Sequence, residues 1–236
     1  MKQPSLWTRY RIVFLSTALT VAFVLGAVAY RTASKTLLPP LTKDLGGIAM
    51  AQAARLEAAD NLDHALAQYQ RALSGQLGTA DRVHVTKRCG VILWKQERYG
   101  EALRYLRWAQ SQPQASLNGY HPLAGCLVQV GQLDAADQAL DTWTAALAPD
   151  DPAHADALRL RGQIAVKRED HATARKLFEA AIALSPHHRA HVDLAFLNTD
   201  TGDRAGAIAH LTTYLSAAPP EKDTWTFWRI LEDWTS

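Results

Sequence analysis

The sequence predicts an all-α protein, a solenoid of about five stacked helix pairs preceded by one transmembrane helix and closed by a C-terminal capping helix. Three observations carry this expectation. A set of small and apolar residues recurs at a near-constant period through residues 46–220. A run of 19 residues without charge fills Ile12–Tyr30, and residues 221–236 hold three tryptophans on a helical pattern. No strand-like alternation interrupts them.

With 48% apolar and 20% charged residues, the 236-residue chain has the composition of a folded protein. Its formal net charge of +2 is unevenly divided: residues 1–45 carry six bases and one acid, the remainder 19 bases and 22 acids. The repeat region is therefore net acidic, which argues against nucleic acid as a partner.

Residues 1–11 read as a short basic tail. As a helix, Ile12–Tyr30 would be about 28 Å long, enough to cross the hydrocarbon core of a bilayer. Arg9, Arg11 and Arg31 flank it, where long basic stems reach the headgroups. "AVA" at Ala27–Ala29 resembles a signal-peptidase site. The apolar run is longer than a usual signal core, however, and Arg31 lies just past the cut, so an uncleaved signal anchor is expected at 12–30. The basic tail is expected to stay in the cytoplasm, which puts the rest of the chain on the far side of the membrane; a cytoplasmic domain is the alternative. High alanine content and the short basic tail fit a bacterial inner-membrane protein with a periplasmic domain. Residues 31–45, "RTASKTLLPPLTKDL", read as a linker stiffened by Pro39-Pro40.

The repeat shows most clearly in "ALRLRGQIAVKREDHATARKLFEAAIALSP", Ala157–Pro186. Taking Ala174 as a marker, Gly162 lies twelve residues before it, and Phe178, Ala181 and Pro186 lie four, seven and twelve after. Equivalent markers fall at Ala65, Ala102, Ala136 and Ala207, so the spacings are 37, 34, 38 and 33 residues. Small residues at the Gly90, Gly162 and Ala195 position let a first helix lie close against a second. The alanine marker does the same from the other side, and the aromatic or leucine four residues on fills the space between them. Turns such as "VGQLDAA", "KREDHATA" and "TGDRAGA" separate the helices. Gly131 and Gly202 suit a helix end, and the aspartates suit the next start.

This pattern resembles the tetratricopeptide repeat, whose motif is W-x2-L-G-x2-Y, then A-x3-F, then P over about 34 residues. The resemblance is best at 155–188, with Gly162, Ala174, Phe178, Ala181 and Pro186, and good at 83–116, with Gly90, Tyr99, Ala102 and Ala109. The motif tryptophan is missing from every copy, and Leu56 and Asn198 stand at its tyrosine position in the first and last. The resemblance implies a right-handed α-solenoid with repeats at about 46–79, 83–116, 117–150, 155–188 and 189–220. It further implies a partner groove built from five positions of each first helix. In the second copy these are His84, Lys87, Val91, Trp94 and Lys95; in the fourth they are Asp156, Arg159, Gln163, Val166 and Lys167. A moderately basic groove with an exposed indole is thus expected, suited to an acidic or C-terminal peptide with an apolar anchor. The chaperone-binding subset of the family clamps a terminal carboxylate with lysine and asparagine. Val91, Gly125 and Gln163 stand where that asparagine would be.

The C-terminal segment places Phe227, Ile230, Leu231 and Trp234 on one helical face, as a cap for the last repeat requires. Trp225, Trp228 and Trp234 form an alternative partner-binding surface.

No catalytic, cofactor or metal motif is evident, and the chain does not read as an enzyme. Cys89 and Cys126 fall on adjacent first helices, facing different ways, and read as buried thiols. His187, His188 and His191 are close enough in sequence for zinc, yet read better as solvated residues at a repeat junction. Asp150-Asp151 reads as a helix-start signal. The expected function is a membrane-tethered scaffold that recruits proteins of an envelope complex. A periplasmic chaperone accessory or holdase and a histidine-cluster metal protein are the alternatives.

Overall fold

A computed structural model describes residues 41–217 and 222–235. The basic tail, the 12–30 anchor, most of the linker and Pro219 lie outside the described residues. Among the described residues there are eleven α-helices, no strand, and no helix long and apolar enough to cross a membrane. The helices are α1 (Leu41–Ala58), α2 (Leu62–Ser74), α3 (Thr79–Lys95), α4 (Tyr99–Gln110), α5 (Tyr120–Gln129), α6 (Leu133–Ala146), α7 (Ala153–Lys167), α8 (His171–Leu184), α9 (Ala190–Asp200), α10 (Arg204–Ala217) and α11 (Lys222–Thr235). A 3-10 turn, Leu117–Gly119, leads into α5. Helix α1 already begins at Leu41, within the segment read as linker.

Odd- and even-numbered helices alternate as first and second members of five hairpins, each packed on the next, and α11 packs on α10. The solenoid follows from the seams. All five marker alanines are buried, as are Tyr69, Leu106, Leu140, Phe178 and Leu211 four residues on. The small residues opposite them permit this approach. A Cβ at Gly162 would overlap the Phe178 ring, and one at Gly90 would sit 2.6 Å from Leu106 Cγ. The core therefore runs along the stack as three successive clusters between the hairpins.

Each hairpin turns in the same way. Five residues before every marker alanine the backbone is left-handed: Asp60 (φ 55°), Glu97 (60°), Gly131 (78°), Glu169 (62°) and Gly202 (83°). The next residue's amide returns to a carbonyl five residues back, as in Arg98 N to Leu93 O at 2.9 Å, which satisfies a helix end. Glycine was legible as the turn residue in two copies. The other three hold acidic residues there at a steric cost. Asp170 and Asp203 then accept from the amides of Thr173 and Gly206 at 3.0 and 2.9 Å, as expected of helix starts.

Polar ties cross between hairpins. Glu57 of α1 accepts from Arg88 of α3 and from the Tyr69 hydroxyl of α2. Burial, with Glu57 reinforcing it, pushes the Tyr69 phenol up to about 12. At the far end Phe227 and Leu231 of α11 are buried against Val192, Leu211 and Leu215. Arg204 closes the helix by donating to the Trp234 carbonyl at 2.9 and 2.6 Å.

Candidate functional site

The first helices α3, α5, α7 and α9 line one face of the stack. Each presents its groove positions beside those of the next, and the residues found there are tied together across the hairpins.

At the α3 end Lys87 donates to Ser116 Oγ and Asn118 Oδ1, both at 2.8 Å. Burial and then the neighbouring Arg88 hold its ammonium below the usual lysine range, and His84 is lowered by partial burial with the same cations adding. His84 and Lys95 are exposed, while Val91 packs on the core. Trp94 is not the exposed indole that was expected. It lies edge-on to His121, with ring centroids 5.3 Å apart, and packs over Gly125, where a Cβ would sit 3.1 Å from its Nε1. The missing side chain at Gly125 is what makes room for it.

In the middle, His121 also meets Trp143 at 5.8 Å and lies 3.9 Å from Asp156. His188 accepts the Ala190 amide on Nδ1, which leaves Nε2 to donate to Asp156 at 3.1 Å. Burial opposes ionisation of Asp156. The His188 hydrogen bond and the charges of His121, His188 and Arg159 outweigh it and hold the carboxyl below its usual range. Burial keeps His121 below the ordinary imidazole value despite Asp156.

At the α7–α9 end the basic expectation is corrected. Arg159 is buried and pairs with Asp193 at 3.3 Å, and Gln163 donates to the same carboxylate at 2.6 Å. Both residues act as inter-repeat ties and not as displayed contacts. Lys167 remains exposed. Beside it lies a depression of about 210 Å³ lined by Val128, Gln129, Val166, Lys167, Phe196 and Asp200, among others. Phe196 is 41% exposed and its ring leans edge-on against Trp234, 6.0 Å between centroids. Val128, Gln129, Phe196 and Asp200 were not singled out from the sequence. The register used for the second and fourth copies, extended to the third and fifth, reaches them.

The three neighbouring histidines point apart. His187 is exposed, His188 serves Asp156, and His191 is buried. His191 Nε2 donates to the Pro186 carbonyl at 3.0 Å, so its Nδ1 accepts from His210 Nδ1 at 2.9 Å. The solvated reading thus fails for His191, because α10 supplies a partner that the sequence places 19 residues away. Among the described residues no group of side chains is arranged to hold a metal ion. Asp151 accepts from the Ala153 amide at 2.8 Å, as a helix start should. Cys89 and Cys126 are free and buried, and burial pushes both thiols up to about 12. Of the C-terminal tryptophans, Trp234 packs on the last repeat and only Trp225 and Trp228 are displayed.

The tetratricopeptide repeat family model matches residues 127–189 and 163–222. Residues 127–222 are thus similar to tetratricopeptide repeats. Solved structures extend the likeness beyond the matched segment. A thermophilic TPR protein of Thermus thermophilus is 19% identical with a TM-score of 0.63, over 79% of this chain and 98% of that one. MamA of Desulfovibrio magneticus RS-1, from residue 41 to its end, is 19% identical with a TM-score of 0.57, over 74% and 96%. The Cut9–Hcn1 hetero-tetramer of APC/C gives 17% identity and a TM-score of 0.59, over 90% of this chain and 40% of that one. At these identities the likeness shows the shared TPR fold alone. No curated protein matches the chain in sequence. TPR proteins generally mediate protein–protein interactions, and the fold is typically a non-catalytic scaffold.

Proposed function

We propose that this chain is a membrane-tethered scaffold that recruits a partner protein in bacterial envelope assembly by laying a peptide or helical segment across its first-helix face. The observation that carries this reading is the depression between α5, α7 and α9. Val166 and Phe196 offer an apolar seat there, with Lys167 and Asp200 on its rim. An apolar anchor flanked by polar groups suits such a seat, since the anchor supplies affinity and the rim charges fix register. The tether rests on the uncharged run Ile12–Tyr30 and its flanking arginines, with helix α1 beginning eleven residues further on.

Photo-crosslinking in native membranes tests the groove. A crosslinking residue at Gln129 or Lys167 is expected to capture a defined protein, and one at exposed Leu184 is not. Phe196→Ala with Lys167→Glu should abolish capture without loss of helicity. Equal capture from both faces, or capture that survives the double substitution, rejects the groove. A reporter active only outside the cytoplasm, fused after Ser236, tests the orientation.

A further inference from the structure

We propose that the outer face of α11 is the contact of a two-fold symmetric dimer, made with a second copy of this chain through Trp225 and Trp228. In α3, α5, α7 and α9 one side is packed by the preceding hairpin and the other by the helix's own partner. Helix α11 stands where a sixth first helix would, and among the described residues only its inner side is packed. Its outer side shows Trp225 at 70% exposure and Trp228 at 50%, one helical turn apart.

The opposite end of the stack is finished differently. Among the described residues the outer stripe of α1 runs from Leu45 and Ile48, each half exposed, into exposed Gln52 and Arg55. A polar outer face is how a terminal repeat stays soluble. Two exposed indoles on one stripe do the reverse, because tryptophan at a surface is characteristic of contact centres.

Charge selects the occupant. Exposed Arg229 and Glu232 border the tryptophans on the same side of the helix. Two parallel copies would set Arg229 against Arg229 and Glu232 against Glu232. An antiparallel pair about a two-fold axis that passes close to Trp228 brings each arginine within reach of the other copy's glutamate, with the two Trp228 indoles beside the axis and each Trp225 flanking them. The face is therefore complementary to itself, as an isologous contact must be. An indole presents at most about 150–250 Å². The exposed parts of four of them with their flanking side chains bury about 1,000 Å², the lower bound of a specific interface. The dimer is accordingly weak and concentration-dependent, and it leaves the first-helix groove open, so it stands or falls apart from the groove reading.

The test is sedimentation equilibrium of the full chain in detergent micelles across the micromolar range, with circular dichroism on each variant. The parent is expected to dimerise. Trp225→Ala with Trp228→Ala should be monomeric at the same concentrations with unchanged helicity. Arg229→Glu should raise the dissociation constant about tenfold or more, and adding Glu232→Arg should restore it, a rescue that a merely destabilised helix would not show. Under copper-phenanthroline oxidation Arg229→Cys should give a covalent dimer and Gln52→Cys should not, the two natural thiols being buried. The proposal is overturned by a parent that stays monomeric, by a dimer that survives loss of both tryptophans, or by a mixed disulfide between Gln52→Cys and Arg229→Cys chains, which would mean head-to-tail stacking.

Discussion

The two ends of the first-helix face use the same repeat positions to different effect. At the second of the five groove positions the second copy has Lys87 and the fourth has Arg159, and the sequence alone makes them equivalent cations. Among the described residues Lys87 donates to neutral oxygens, those of Ser116 and Asn118, and is not paired with a carboxylate. Arg159 meets the Asp193 carboxylate and is buried with it. Repeat register decides which way a side chain points. Whether its charge is displayed depends on the neighbouring hairpin.

The largest expected effect sharpens this contrast. Asp193→Ala leaves a buried guanidinium without its partner and should lower stability by about 3 kcal/mol, whereas Asn118→Ala beside Lys87 should cost about 1 kcal/mol or less. Urea denaturation of both variants measures the difference, and equal losses would break the comparison. The seams should differ in the same sense. Gly162→Ala drives a methyl into the buried Phe178 ring and should cost about 2 kcal/mol. Gly125→Ala meets the Trp94 indole at 3.1 Å, a milder approach than that at Gly162, and should cost less than about 1 kcal/mol.

The hairpin turns should not differ between the ends, because their cost is local. Glu97→Gly and Glu169→Gly each remove a side chain from a left-handed backbone. Each should raise stability by about 1 kcal/mol, and Gly131→Ala should lower it by a similar amount. A gain at one end only would show that tertiary contacts, and not backbone strain, govern the turn.

The smallest effect is acid sensitivity. Burial holds His121, His191 and His210 below the ordinary imidazole value. Below that value the unfolded chain binds more protons than the folded one, so the stability these residues support is present near neutral pH and declines as pH falls from about 7 to 5. Asp156, held low by His188 and its cationic neighbours, adds a loss in the same direction only below the ordinary carboxylate range. Hydrogen exchange at pH 5 should therefore rise more in α5–α10, which hold these three imidazoles, than in α1–α4, where His84 alone is held low, and His121→Phe should lessen the rise. Uniform exchange along the stack would discard this difference.

Much of the fold was legible because its constraints are local and repeated. The marker alanines, Gly162 beside Phe178 and the glycine turns at 131 and 202 each report a close approach that a larger side chain would obstruct. The turns at Asp60, Glu97 and Glu169 were harder to read, since packing on either side compels a conformation that their residue types do not favour. In the groove, exposed Lys95 and Lys167 could be found from helical position alone. The pairing of Arg159, the lodging of Trp94 and the partner of His191 could not, since each depends on a residue from another helix.

The amino-acid sequence by itself determined helical periodicity, hairpin spacing and the seams along which hairpins stack, because those properties arise within one repeat and recur in the next. Tertiary structure alone decided which charges are neutralised, which indoles are covered and where the apolar seat opens, because those depend on distances between side chains that lie about one repeat apart in the chain.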